Sequence, residues 1–151
     1  FAGNDTITAD AGRDVVRTGK GDDSLTGGDG NDVVWAGSGD DTMTGDAGTD
    51  RLHGGKGNDS AAGGDANDRL WTGWGEDVQL GGPGNDALHA LAADGQPDTL
   101  DCGEGDRDRA YVRRSEKDLT TAIGCEKVFY VAVVSAEQEA NENADKDADA
   151  E

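Results

Sequence analysis

The chain has 151 residues, a third of them hydrophobic and 5% aromatic, and a formal net charge of −20. One domain fits this length, and composition alone reads as disorder. The excess of acid excludes a phosphate backbone or an anionic membrane surface as partner, since both need the opposite sign, and no apolar run reaches the length of a membrane span.

The chain opens at Phe1 in mid-repeat, without an initiator methionine. That reads as a mature or trimmed product, so a missing signal peptide says nothing about export. Over residues 1–89 an aspartate then recurs every nine residues: Asp5, Asp14, Asp23, Asp32, Asp41, Asp50, Asp59, Asp68, Asp77 and Asp86. A glycine stands two residues before each, except at Ala66. Two residues after stand Ile7, Val16, Leu25, Val34, Met43, Leu52, Ala61, Leu70, Gln79 and Leu88. Fixed offsets at so short a period predict a solenoid. Residues 1–89 hold 17 acidic and 6 basic side chains, and a divalent cation is the natural counter-charge.

Each unit divides into a glycine-rich turn, suited to positive φ and close backbone approach, and a short strand such as Ser24-Leu25-Thr26. Alternation sends the middle residue of the strand inward and its neighbours outward. Two units make one coil, and ten units make five coils stacked at roughly 4.8 Å. The predicted fold is all-β, a parallel β-roll with a thin apolar seam. One aliphatic side chain per unit contributes roughly 1.5–3 kcal/mol, while ordering nine residues costs on the order of 9–18 kcal/mol of backbone entropy. A further cohesive term is required. Calcium takes six to eight oxygens from carboxylates and carbonyls. Stacking sets Asp5, Asp23, Asp41, Asp59 and Asp77 along one edge and Asp14, Asp32, Asp50, Asp68 and Asp86 along the other. One ion between vertical neighbours gives about eight ions at most. The competing reading makes these aspartates turn residues that cap main-chain amides without metal.

Gly27-Gly28-Asp29-Gly30-Asn31-Asp32-Val33-Val34-Trp35 and Gly54-Gly55-Lys56-Gly57-Asn58-Asp59-Ser60-Ala61-Ala62 resemble the RTX, or haemolysin-type, calcium-binding nonapeptide repeat. The resemblance implies a β-roll that folds on binding calcium in secreted bacterial proteins. It implies ligands from the ten aspartates and from turn carbonyls near Gly19, Gly21, Gly28, Gly30, Gly37, Gly39, Gly48, Gly55, Gly57, Gly64, Gly73, Gly75, Gly82 and Gly84. Several units depart from the pattern. Ala66 stands where positive φ is costly, Asp10, Asp46, Thr18 and Thr72 replace other glycines, and Gln79 at an inward position suggests that the regular seam ends there.

The outward positions form two ladders. One face carries Thr6/Thr8, Ser24/Thr26, Thr42/Thr44, Ser60/Ala62 and Val78/Leu80, a short threonine array resembling an ice-binding face, though threonine is also an ordinary strand former. The other carries Arg17, Trp35, His53, Trp71 and His89. Trp35, His53, Trp71 and His89 could recognise a glycan or protein partner or simply pack across strands. His53 and His89 stand two coils apart, too far to share zinc.

After Leu88 the period breaks. Ala90 to Gln96 is an insertion, and Asp98-Thr99-Leu100 resumes the pattern three residues late. Residues 90–134 are expected to cap the open end of the solenoid, with strands at Ala110-Tyr111-Val112 and Val128 to Val134. L-D-C-G-x-G followed by G-C-E-K-V looks like a terminal cap of such secreted proteins. Cys102 and Cys125 have no local His or Cys partner for zinc, so a disulfide is the better reading, and it points to an oxidising compartment. A bridge over about 23 residues is worth roughly 3 kcal/mol on the chain-entropy model. Arg107, Arg109, Arg113 and Arg114 form a basic cluster that reads as a solvated face. Residues 135–151 are acidic, without an apolar residue larger than alanine, and read as a disordered tail. No catalytic constellation appears, so these residues read as a non-enzyme, whether alone or as a fragment of a larger secreted enzyme or toxin. The reading is a secreted, extracellular calcium-binding module with a structural or secretion-linked role. The alternatives are a recognition surface on the Trp/His ladder and an ice-binding face.

Overall fold

The computed structural model describes residues 2–114 and 120–131. It is a parallel β-solenoid whose strands are numbered here in chain order. One sheet holds β1 (Thr6–Thr8), β4 (Ser24–Gly30), β6 (Thr42–Ala47), β8 (Ser60–Asp65), β10 (Val78–Leu80), β12 (Thr99–Asp101) and β14 (Thr121–Ile123), with β2 (Ala11–Gly12) also paired to β4. The other holds β3 (Val15–Lys20), β5 (Val33–Ser38), β7 (Arg51–Lys56), β9 (Arg69–Trp74), β11 (Ala87–Ala90), β13 (Arg109–Arg113) and β15 (Lys127–Val131). Odd and even units therefore feed opposite sheets, and each coil lies directly on the one before.

The register follows the repeat. Val16 pairs with Val34, Val34 with Leu52, Leu52 with Leu70 and Leu70 with Leu88. On the other sheet Ile7, Leu25, Met43, Ala61 and Gln79 align in the same way. These inward residues make the core, from Leu25 to Leu88 almost fully buried. A second inward column lies two residues further along each strand, as alternation requires. On one edge it is Thr18, Ala36, Gly54, Thr72, Ala90 and Val112, all buried. On the other edge Gly27, Gly45, Gly63 and Gly81 hold this position, and Cys102 follows them.

Gln79 does not end the seam. It is fully buried, and β10 pairs in register with both β8 and β12. Its amide is fully engaged. Nε2 donates to Thr72 Oγ1 at 2.9 Å and to the His89 carbonyl at 2.8 Å, and Oε1 accepts from the His89 N–H at 3.0 Å. A buried amide with its bonds made carries little penalty, and here it ties one sheet to the other.

The segment after Leu88 continues the same stack. Leu100 and Ala122 extend one inward column, and Ala110 and Val128 extend the other. The insertion is absorbed at a rod edge, where Asp94 Oδ2 accepts the Gly75 N–H at 2.7 Å. In the coil below, the Trp74 carbonyl takes the Gly57 N–H. Cys102 and Cys125 form the disulfide, with Cα atoms 5.1 Å apart. The end of the strand expected to reach Val134, and the acidic segment 135–151, lie outside the described residues.

Close stacking explains the turn glycines. A Cβ on Gly55 would meet the Gly37 carbonyl oxygen, and one on Gly57 the Gly39 oxygen, inside any allowed contact; both glycines have positive φ. Ala66 and Asp46 adopt positive φ, at 83° and 75°, despite their side chains. Such a conformation costs roughly 1–2 kcal/mol in an L-residue. Ala66→Gly should therefore raise stability by about 1 kcal/mol after the entropy gained by the unfolded glycine is discounted. A thermal or denaturant midpoint in calcium that rises by that amount confirms the strain, and an unchanged or lower midpoint rejects it.

Candidate metal rows at the rod edges

The turns bring the recurring aspartates together as two vertical rows. Within each row, one carboxylate oxygen accepts the main-chain N–H of the aspartate one coil earlier. Asp23 Oδ1 takes the Asp5 N–H at 2.7 Å, Asp41 takes Asp23 at 2.8 Å, Asp59 takes Asp41 at 2.9 Å and Asp77 takes Asp59 at 2.8 Å. The opposite edge repeats this from Asp14 through Asp32, Asp50, Asp68 and Asp86, at 2.7–2.8 Å. The aspartates do cap amides, and only one of their two oxygens does so.

The second oxygen is the informative one. In Asp23, Asp32, Asp41, Asp50, Asp59, Asp68, Asp77 and Asp86, Oδ2 is buried without a hydrogen-bond partner, as it is in Asp5. A buried anionic oxygen left unpaired is expensive. For Asp32, Asp50, Asp59, Asp68 and Asp86 this oxygen faces a cradle where a glycine stands, whereas Thr18, Ala36 and Thr72 hold the same place before Asp23, Asp41 and Asp77. A Cβ on Gly27 would lie 2.8 Å from Asp32 Oδ2 and 3.0 Å from the Gly45 carbonyl oxygen. A Cβ on Gly54 would meet Asp59 Oδ2 and lie 2.7 Å from the Thr72 oxygen. Gly45 with Asp50 and Gly63, and Gly63 with Asp68 and Gly81, repeat the arrangement. The donor set is carboxylate plus main-chain carbonyl, all hard oxygen, which suits calcium and not a softer metal. Among the described residues no group of three or more His, Cys, Asp and Glu side chains gathers as a metal cluster. That is consistent with a site in which backbone oxygens supply part of the coordination.

Burial raises the carboxyl pKa values. It pushes Asp50 and Asp86 up to about 6, Asp68 to about 7 and Asp59 to about 8, with neighbouring aspartates adding to the effect and the accepted main-chain N–H opposing it. Asp41, Asp77 and Asp108 are raised for the same main reason.

A second ladder runs outside the first and in the opposite sense. Asn4 Oδ1 accepts the Asp22 N–H, Asp22 that of Asp40, Asp40 that of Asn58, and Asn58 that of Glu76, at 2.7–3.0 Å. On the other edge Asn31 accepts from Thr49 and Asn67 from Asn85. Sequence reasoning passed over these residues, although the Asn-Asp pair inside the repeat is their signal. It returned Asp98 to the repeat pattern without counting it among the ligands, and it missed Asp108 and Glu126 as members of the aspartate rows. Asp98 Oδ1 accepts the Asp77 N–H at 3.1 Å, Asp108 Oδ1 accepts that of Asp86 at 2.7 Å, and Glu126 Oε2 accepts that of Asp108 at 2.5 Å.

The aromatic ladder forms one continuous stack. Ring centroids of Trp35 and His53, His53 and Trp71, Trp71 and His89, His89 and Tyr111, and Tyr111 and Phe129 are 4.5–5.5 Å apart, with planes within 18° of parallel. The Arg17 guanidinium lies 3.9 Å from the Trp35 ring centre. Trp71 separates the two histidines. The ring faces are occupied by one another, so a sugar would meet edges rather than faces, and the arrangement contributes cross-strand packing of roughly 0.5–1.5 kcal/mol per pair. The threonine ladder is in register from Thr6/Thr8 to Thr42/Thr44 and passes to Ala62 and then Leu80.

One family model matches the chain, described as the RTX calcium-binding nonapeptide repeat (4 copies), over residues 2–25, 9–43, 17–52, 26–61, 44–79 and 53–88. Neither a curated protein nor a solved structure matches it. Among the described residues no helix is long and apolar enough to cross a membrane.

The raised pKa values fix the sign of a pH test in the absence of metal. Aspartates with folded pKa values above the unfolded value stabilise the fold fully below about pH 4. That contribution is lost as pH rises through about 6 to 8. In chelator, circular dichroism should show β-structure gained as pH falls from 8 to below 6. Loss of β-structure on acidification contradicts the burial of these carboxylates.

Proposed function

Because the chain belongs to the family of RTX calcium-binding nonapeptide repeats, we propose that it is a calcium-responsive structural module, unfolded at low calcium and rigid in the extracellular medium. The observation that carries this reading is the file of buried carboxylate oxygens without partners along both edges. Without a cation the stacked aspartates repel one another and lack compensation. With one, the same groups become the cohesive element between coils. We assign the ligand role to the aspartates from Asp5 to Asp86, together with carbonyls of the glycine turns. Calcium, when bound, supplies charge neutralisation and oxygen coordination; the chain supplies the spacing.

Extracellular calcium modules bind at about 10⁻⁴–10⁻³ M, so the low calcium of a cell interior leaves such a chain open for export. The disulfide suits the same oxidising destination. The described residues after Leu88 extend the roll, and we assign to them the role of closing it. No catalytic activity is assigned to these residues.

Asp59→Asn separates a metal ligand from a simple amide cap. The amide keeps the oxygen that accepts the Asp41 N–H and removes a buried charge. It should stabilise the chain at pH 8 in chelator, yet lower calcium affinity by about tenfold or more, ~1.4 kcal/mol. Paired chelator and calcium titrations followed by circular dichroism measure both. A wild-type β-spectrum indifferent to chelator, or a variant that changes neither quantity, overturns the reading.

A further inference from the structure

The family match ends at residue 88, and the cradle geometry does not. Cys102 occupies the place that Gly45, Gly63 and Gly81 hold in the coils below. A Cβ on Gly81 would lie 2.5 Å from the Cys102 carbonyl oxygen and 2.6 Å from Asp86 Oδ2. The same construction at Gly63 meets Asp68 Oδ2 and lies 2.7 Å from the Gly81 oxygen. Gly103 and Gly105 close against the Gly82 and Gly84 carbonyls, as the turn glycines of the repeats do against theirs. Asp108 completes the set. Its Oδ1 takes the Asp86 N–H, its Oδ2 is buried without a hydrogen-bond partner, and its side chain is wholly inaccessible. Asp86 is 1% exposed with its own Oδ2 in the same condition.

We propose that a further calcium site joins the last repeat to the segment after it, formed by the carboxylates of Asp86 and Asp108 and the main-chain carbonyl of Cys102. The disulfide anchors that carbonyl: Cys102 is bridged to Cys125, and its N–H donates to the Ile123 carbonyl at 3.0 Å. Ion and disulfide therefore hold one turn together, and each resists the opening that would release the other. The inference rests on the calcium reading of the repeats and adds a site that the repeat pattern does not contain.

The test uses the full chain and calcium alone. Native-state mass spectrometry should count one ion fewer in Asp108→Asn than in the wild type, while circular dichroism in calcium shows the roll retained. Reduction of Cys102–Cys125 by dithiothreitol gives the second readout. At a calcium concentration that folds the roll in both proteins and is ten times the dissociation constant of the proposed site, reduction should be about tenfold slower in the wild type than in Asp108→Asn. An equal ion count, or equal protection by calcium in both proteins, overturns this further site and leaves the repeat sites standing. A wild-type chain that binds no calcium overturns both.

Discussion

The structure depends on one unequal sharing of a carboxylate. Each repeat aspartate from Asp23 to Asp86 gives one oxygen to a main-chain N–H of the preceding coil and keeps the other buried and unbonded. The first contact sets the stacking distance and orients the side chain. The second leaves a charge in a place where water cannot compensate it, and burial answers by lifting the pKa, most at Asp59. A solenoid with a broad core could tolerate one such defect. Here the defect repeats from coil to coil, and in the proposed reading a cation that neutralises it decides between fold and open chain.

The rest of the architecture serves that spacing. Turn glycines let one coil lie on the carbonyls of another; at Gly55 and Gly57 even a methyl group is too large. The outer Asn/Asp ladder engages N–H groups that the inner row leaves alone, and it runs in the opposite sense, so each turn is tied both up and down. Gln79 shows how little hydrophobicity the core demands. An amide can replace an aliphatic residue because the Thr72 hydroxyl and the His89 main chain meet it. The ring stack from Trp35 to Phe129 supplies on one outer face the contact area that the seam lacks.

The parallel roll, its register and its two aspartate rows were legible because a nine-residue frame without insertions leaves no freedom in which residues stack. What escaped notice lay outside that frame or beside its strongest positions. The inward column of Thr18, Ala36 and Thr72 follows from continuing strand alternation by one more step, but small residues next to glycines read as turn. Gln79 read as the end of a seam because polarity was weighed and satisfaction could not be. Asp108 and Glu126 were hidden by a change of turn length: row neighbours stand 22 residues apart between Asp86 and Asp108, against 18 in the repeats. Once the longer turn is allowed, a carboxylate again stands before each strand, Asp108 before β13 and Glu126 before β15.

The sharing of each carboxylate between coils also sets how the rod should assemble. Solenoid stability is a sum of unit terms and nearest-neighbour terms. The unit term is unfavourable here, since one inward side chain does not offset the entropy of nine ordered residues. The neighbour term carries the amide-to-carboxylate bond, the strand ladder and the oxygen cradle together, because all three exist only between coils. A single coil gains nothing from calcium, for its cradle is closed by the carbonyl of the coil above, as Gly45 oxygen closes that of Asp32. On the proposed calcium reading, binding and folding are one event that begins where two coils meet and spreads along the axis. The disulfide between Cys102 and Cys125 ties two neighbouring coils covalently, and on the same reading it keeps a preformed contact among the described residues from which that spread can start.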